Sequence, residues 1–259
     1  MSDTPDLADL LKKLGFLASR AAVDALVAHA TKSKIGHVQF LEQMVGMELR
    51  EREARNLTRR TKMATLGSPK ALDCFDWNHP RSIDRPAYEQ LHASLDFVRR
   101  GENVLLRGQA GVGKTTLSGN LGVRALERGY SVLSSTLPAA LADLMRQESL
   151  PATERRLRRY TSPDLLILDE LGYVPCDTRA ADLLFHIISR RHERRSTVIT
   201  TNLAYKQWGS VFHDASCLAA LVDRFAQHCH TIDIDADSWR HKESQLRSGK
   251  GGKEKKPTR

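Results

Sequence analysis

The chain has 259 residues, 41% apolar and 27% charged, with a net charge of +9. This suits one sizeable α/β core with a smaller module beside it, and it is the balance of a globular protein rather than a disordered one. No run of about 18 uncharged apolar residues is present, which excludes a membrane-spanning helix, and the first residues lack the basic-then-apolar pattern of a secretory leader, so the cytoplasm is the expected compartment.

Leu7, Leu10, Leu11 and Leu14, then Val23, Leu26 and Val27, recur at helical spacing, and Phe40, Leu41, Met44, Val45 and Leu49 resume it after a break at Lys34 to Gly36. The spacing predicts a helical N-terminal module over residues 1–66. Its last helix continues from Glu48 to Lys62 and sets Arg52, Arg55, Arg59 and Lys62 at i, i+3, i+7 and i+10, on one face. That face is either a phosphate-binding stripe or a solvated surface balanced by Glu48, Glu51 and Glu53. Charge placement sharpens the question. Residues 1–66 carry 11 Lys+Arg against 8 Asp+Glu, residues 242–259 carry 7 against 2, and residues 67–241 carry 22 against 21.

Residues 67–102, with Pro69, Pro80 and Pro86 among polar neighbours, read as a linker and incoming helix. Short β-rich runs at 104–106, 131–134, 165–168, 197–200 and 231–234 then alternate with longer helical patterns. That order predicts an α/β core over 103–241, a five-stranded parallel sheet between helices. The Gly-, Ser- and Lys-rich residues 242–259 are expected to be a disordered basic tail. The four cysteines, Cys74, Cys176, Cys217 and Cys229, form no C-x-x-C pair, which argues against a disulfide framework or zinc knuckle. His228-Cys229-His230 is not read as a metal cluster, because adjacent residues point in different directions.

Gly108-Gln109-Ala110-Gly111-Val112-Gly113-Lys114-Thr115 fits G-x-x-x-x-G-K-[ST], with an apolar strand before it and a helical run from Thr116 to Arg128 after it. In such a loop the backbone N–H groups turn inward around phosphates, the helix dipole points at them, Lys114 reaches the β and γ oxygens, and Thr115 places a hydroxyl on Mg²⁺. The run 165–168 delivers Asp169 and Glu170 at a strand's C-terminal end, where ligands bind in such sheets. Asp169 is expected to hold Mg²⁺, and Glu170 to polarise a water attacking the γ-phosphate of ATP. Asn202 ends the next buried strand and is a candidate to orient that water, or a polar strand cap. Arg224, on a later helix, is a candidate arginine finger, or one half of a surface ion pair.

These residues together resemble the IstB-like ATPases of the AAA+ class, helpers of insertion-sequence transposition related to DnaC-type helicase loaders. Leu168-Asp-Glu-Leu-Gly-Tyr173 resembles the family's extended Walker B segment, and Thr200-Thr-Asn-Leu203 with Trp208 and Phe212 its sensor-1 region. Leu221-Val-Asp-Arg224-Phe225 and His228 resemble the box that carries the arginine finger, and Asp237-Ser-Trp-Arg240 is similar to the family's Glu-Ser-Tyr-Arg. The likeness spans roughly residues 38–242. Family members usually have two prolines in place of Gln109-Ala110, Thr for Val112 and His for Thr116, and none of these departures removes a phosphate donor.

The resemblance implies a P-loop AAA+ fold without a separate lid domain, preceded by the helical module. It implies ATP with Mg²⁺, bound by residues 108–116 and by Arg240, and held between subunits of a homo-oligomer so that Arg224 serves the neighbouring subunit. It also implies duplex DNA, met by Arg52, Arg55, Arg59 and Lys62, and a cognate transposase as partners. The alternative is a DnaC-type loader of a replicative helicase; some loaders carry a zinc module at the N-terminus, and residues 1–66 hold no cysteine. A small-molecule kinase is disfavoured by Glu170, which suits water rather than a substrate hydroxyl, and by the basic run 154–159 leading straight into the Asp-Glu strand instead of forming a lid.

Overall fold

The helical spacing near the N-terminus becomes α1 (Leu7–Lys13), α2 (Arg20–Ser33) and α3 (His37–Ala64) in the computed structural model, which describes residues 6–172, 177–212 and 216–239. The Ser19 hydroxyl caps α2 by accepting the Ala22 N–H at 3.3 Å, and Lys34 ends it in the left-handed conformation. Glu48, only 5% exposed, accepts the N–H groups of Leu17 and Ala18 at 2.8 and 3.1 Å. It also accepts Arg52 Nε at 2.5 Å, and a second nitrogen of Arg52 donates to the Gly15 carbonyl at 3.0 Å. Arg55 repeats the device, donating to Glu51 at 2.7 Å and to the Leu17 carbonyl at 2.9 Å. The turn before α2 is thereby fastened to α3. Burial pushes the Glu48 carboxyl up, but the Arg52 hydrogen bond, the two backbone donors and the Arg52 charge outweigh it and leave the pKa below the usual carboxylate value.

The chain divides into two compact units, Met1–Lys62 and Met63–Arg259, a boundary four residues before the expected one. The reason is that Ala64 is buried in the second unit and the Leu66 side chain lies 2.8 Å from where a Cβ on Gly122 would sit. The second unit runs β1 (Ser82–Ile83), α4 (Arg85–Ser94), α5 (Asp96–Arg100), β2 (Asn103–Gly108), α6 (Lys114–Glu127) and β3 (Val132–Thr136). It continues with α7 (Leu137–Met145), α8 (Leu150–Thr161), β4 (Leu165–Leu171), α9 (Thr178–Arg191), β5 (Ser196–Thr201), α10 (Leu218–Ala226) and β6 (Cys229–Asp235). Pro86, read from sequence as a breaker, occupies the first turn of α4, where no N–H partner is lost, beneath the Asp84 cap.

Among the described residues the sheet has six strands in the order β1-β6-β2-β5-β4-β3. The five expected strands are all present and parallel; the addition is β1, two residues antiparallel to the edge of β6. The central strands are buried on both faces. Leu105, Leu133, Leu166, Leu168 and Ile199 point into the core under α7 to α10, and Val104, Leu106, Leu165, Ile167 and Val198 into the core under α4 to α6. That two-sided burial is why these strands read as continuous apolar runs rather than alternating ones.

At the end of the sheet opposite the phosphate loop, Arg191 is 1% exposed and donates to the carbonyls of Tyr160, Pro163, Asp164 and Ser196 and to the Thr197 hydroxyl. Burial, with repulsion from Arg195, pulls its pKa down to about 9, so it is charged at neutral pH and fastens α9 to the starts of β4 and β5. Among the described residues no helix is long and apolar enough to cross a membrane. The tail, residues 242–259, lies outside the described residues.

Because the Glu48 pKa is lowered in the folded chain, its stabilising effect is present above the unfolded carboxylate pKa of about 4.3 and is lost as pH falls through the folded value. Protection of the Leu17 and Ala18 amides against hydrogen exchange is expected to fall with pH below that range in the wild type. In Glu48→Gln it is expected to be weaker at neutral pH and nearly flat with pH; equal protection in both would contradict the assigned role.

Candidate functional site

The C-terminal ends of β2, β4 and β5 open onto a pocket of about 670 Å³ in the second unit. Its floor is the loop between β2 and α6. Gly113 adopts φ +99°, a left-handed conformation, and a Cβ there would stand 2.5 Å from the Phe75 ring, so both backbone and space demand glycine. Val112 is buried in the core and anchors the loop from below. Lys114, 7% exposed, donates to the carbonyls of Gly108 and Gln109 at 2.7 and 2.8 Å. Ala110 to Thr116 line the pocket above, and α6 begins at Lys114 with its N–H groups facing the loop.

Opposite the loop, β4 breaks register. Leu168 pairs with Ile199 and Leu171 with Thr201, so three steps along β4 match two along β5. Asp169 and Glu170 occupy this bulge, and Glu170 takes φ +68°, an uncommon conformation for a non-glycine residue. Thr200 holds the bulge from below. Its fully buried hydroxyl donates to Asp169 Oδ1 and accepts the Glu170 N–H at 3.1 Å. The other Asp169 oxygen accepts the Thr115 hydroxyl at 2.8 Å. Glu170 is left exposed at the pocket wall, free of the ladder.

A hydroxyl and a carboxylate at hydrogen-bond distance are hard oxygen donors of the kind that Mg²⁺ takes, and they face the loop built for phosphates. Thr115 and Asp169 therefore fit the ion expected from the sequence. Among the described residues no group of three or more His, Cys, Asp or Glu side chains forms a metal cluster elsewhere.

The remaining predicted residues separate. Asn202 is exposed just past β5, with its Oδ1 beside Gly172, and is not among the residues lining the pocket. Arg224 on α10 donates to the Ser189 hydroxyl at 2.6 Å and lies over the Phe185 ring at 4.8 Å, both on α9, so it is outside its own chain's pocket. Among the described residues it forms no ion pair, the alternative read from the sequence. Arg240 lies outside the described residues. The four basic-stripe residues are all exposed, and Arg52 and Arg55 in addition brace the first unit.

Sequence reasoning passed over two groups. Thr200 had no assigned role, although its position one strand over from Asp169 and two residues before Asn202 put it at the pocket. The far wall comes from residues 67–102 and from the segment after β6. Phe75, Asp76 and His79 line the pocket together with Trp239, whose backbone N–H donates to the Gly111 carbonyl at 3.0 Å and whose ring meets His79 edge-on at 4.8 Å. The signal was three aromatic or heteroaromatic residues in five, Phe75, Trp77 and His79, masked by the flanking prolines. These rings supply flat apolar surface near the phosphate loop, as a purine base requires.

Comparison with known proteins agrees with this geometry. The family model described as IstB-like ATP binding protein matches residues 9–247. An insertion sequence IS21 putative ATP-binding protein of Pseudomonas aeruginosa is 36% identical over 240 residues, covering 93% of this chain and 90% of that one. An insertion sequence IS232 putative ATP-binding protein of Bacillus thuringiensis is 33% identical, covering 84% and 87%. Among solved structures, DnaI superposes with a TM-score of 0.54 at 22% identity, over 65% of this chain and 92% of that one. AMPPCP-bound DnaA from Aquifex aeolicus superposes with a TM-score of 0.50 at 23% identity, over 67% and 53%. At such identities the structural likeness establishes the fold, an α/β P-loop fold of AAA+ type.

Thr200→Val removes the hydroxyl and keeps the shape. One lost hydrogen bond to a charged group, about 1.5 kcal/mol, is expected to weaken Mg²⁺-supported ATP binding roughly tenfold. Binding without Mg²⁺ should be unchanged, and Thr200→Ser should retain the wild-type behaviour. Titration calorimetry with and without Mg²⁺ checks this; a valine variant with full Mg²⁺ dependence would show that the hydroxyl does not orient Asp169.

Proposed function

We propose, from the premise that the chain belongs to the IstB-like ATP binding protein family, that it is an ATP-hydrolysing helper of insertion-sequence transposition. In this reading it assembles on duplex target DNA, deforms it, and recruits or stimulates a transposase, with hydrolysis timing assembly and release. The observation that carries the ATPase part is the bulge in β4. It brings Asp169 within 2.8 Å of the Thr115 hydroxyl and leaves Glu170 exposed over the phosphate loop.

Each side chain then has a task. The loop N–H groups and the α6 N-terminus bind the phosphates, and Lys114 exchanges the Gly108 and Gln109 carbonyls for phosphate oxygens. Thr115 and Asp169 would hold Mg²⁺, which when bound would supply charge neutralisation to the phosphates. Glu170, exposed and ungripped by the strand ladder, orients and deprotonates a water in line with the γ-phosphate. Asn202 serves the same water from the end of β5. The rings of Phe75, His79 and Trp239 form the wall for the base, and Arg240 is assigned to the nucleotide as well.

Arg224 is assigned to the neighbouring subunit's nucleotide. Its position on α10, engaged with Ser189 and Phe185 of α9 rather than with its own pocket, supports that assignment. Each site then needs two protomers. DNA contacts in the first unit fall to Arg59 and Lys62, since Arg52 and Arg55 already brace the turn before α2.

Two measurements test the reading. Glu170→Gln is expected to bind ATP like the wild type and to hydrolyse it about 10²-fold more slowly or worse; unchanged turnover would remove Glu170 from the chemistry. Lys114→Ala and Arg224→Ala are each expected to be inactive alone and partly active when mixed. In the mixture an intact pocket on one protomer meets an intact arginine on another. A mixture as inactive as its parts would sink the shared site.

A further inference from the structure

Arg224 is held at both ends by one face of α9. Phe185, Ser189 and His192 follow one another at i, i+4 and i+7, which sets them on a single face, and that face meets α10. The Arg224 guanidinium donates through Nη1 to the Ser189 hydroxyl at 2.6 Å, and its carbon lies 4.8 Å from the centre of the Phe185 ring. His192 Nδ1 stands 3.1 Å from the Arg224 carbonyl, a contact in which that nitrogen carries the hydrogen, because a carbonyl only accepts. The carbonyl belongs to the last turn of α10, where partners within the helix run out. Leu221 and Phe225 are buried on either side of Arg224, as are Leu184, Ile187 and Ile188 of α9, so both helices are fixed to the core beneath this contact.

The groups that hold the side chain are neutral. Among the described residues Arg224 forms no ion pair, although Asp223 precedes it in the chain, whereas Arg107, Arg156, Arg190 and Arg195 of the same unit each meet a carboxylate. A guanidinium has five N–H donors in one plane, of which the Ser189 hydroxyl takes one while the Phe185 ring lies against the cation. Arg191, the structural arginine of α9, shows the opposite arrangement: it is buried and commits its donors to four carbonyls and a hydroxyl. Arg224 is only partly buried and keeps both its charge and most of its donors.

We infer that Ser189, supported by Phe185 and His192, is a positioning residue for hydrolysis: it orients Arg224 for the neighbouring subunit's nucleotide without neutralising it. The inference rests on the assignment of Arg224 to that nucleotide and deepens it. A long side chain left free to rotate would have to be ordered at every turnover, whereas a hydroxyl and a ring one helical turn apart order it beforehand. A carboxylate at position 189 would order it more firmly, but would cancel the charge meant for the transferring phosphoryl group. A neutral acceptor does the first without the second. The His192 contact sets the other end, tying the main chain of Arg224 to the helix that carries the acceptor.

The test is steady-state ATP hydrolysis by the full chain over a range of ATP concentrations. Ser189→Ala is expected to lower kcat about fivefold, the factor that one neutral hydrogen bond is worth, with KM for ATP unchanged because Ser189 stands outside its own chain's pocket. Ser189→Thr keeps the hydroxyl and should stay near the wild-type rate. Ser189→Asp should be slower than Ser189→Ala although it grips the arginine harder; a contact that served only to join α9 to α10 would be kept or strengthened by the carboxylate. Mixed subunits assign the defect to one side of the interface. Arg224→Ala mixed with the double variant Lys114→Ala/Ser189→Ala should turn over more slowly than Arg224→Ala mixed with Lys114→Ala, by the same factor as the single variant. Placing the Ser189→Ala change on the Arg224→Ala protomer instead should cost nothing, since that protomer offers only its pocket. A wild-type kcat in Ser189→Ala, a Ser189→Asp variant as fast as the wild type, or a defect that follows the protomer with the pocket each overturns the inference. Full activity of Arg224→Ala alone, or no activity from the Arg224→Ala and Lys114→Ala mixture, would instead overturn the assignment of Arg224 on which the inference stands.

Discussion

Asp169 is the carboxylate at which the geometry of the pocket converges. One oxygen accepts from Thr200 at the end of β5, the other from Thr115 at the start of α6, and its own strand has just left register with its neighbour. Both threonines are placed by the sheet. Thr200 pairs with Leu106 of β2, two residues before the phosphate loop begins, so one register fixes loop, clamp and carboxylate together. A slip of one residue would turn Thr200 toward the opposite face and leave Asp169 without its buried partner. The apolar runs of β2, β4 and β5, buried on both faces, supply the packing that prevents such a slip.

The bulge also explains how adjacent residues come to different positions at the pocket. In a regular strand Asp169 and Glu170 would point to opposite faces of the sheet. The extra residue and the positive φ at Glu170 take it out of the ladder and leave it at the pocket wall, while its N–H stays bound to Thr200 and to Asp169. Such a conformation is held only when the surroundings over-determine it. Here the three hydrogen bonds of the Thr200-Asp169-Glu170 cluster hold it.

The sequence made the phosphate loop, the five parallel strands and the Asp-Glu pair legible, because each depends on residue type at short spacing. It left the sixth strand unread, since two residues of β1 carry no period. The base-side wall was hidden for a related reason. Trp239 lies about 160 positions from Phe75 and His79 and lines the same pocket only because β6 runs beside β2 and hands its chain back over Gly111. The bulge was equally hidden, because its cause is a mismatch between two strands rather than a pattern within one. Arg224 was legible as a functional candidate, but its parking place on Ser189 and Phe185 follows from the packing of α10 on α9.

Basic residues show most clearly why count and spacing fall short of function. A stripe at i, i+3, i+7 and i+10 and a cluster at i, i+3 and i+4 look alike on a helical wheel, and either is compatible with phosphate binding. What separates them is where the carboxylates go. In α3, Glu48 and Glu51 turn to Arg52 and Arg55, and the carbonyls of Gly15 and Leu17 accept from a second nitrogen of each. In α8, Asp143 and Glu154 are taken by Arg156 and Arg190, and the same carboxylates still act through space on Arg159 and Arg158. At a Debye length of about 8 Å in physiological salt, close partners decide how much of a cation's field reaches a ligand, and distant net charge contributes little.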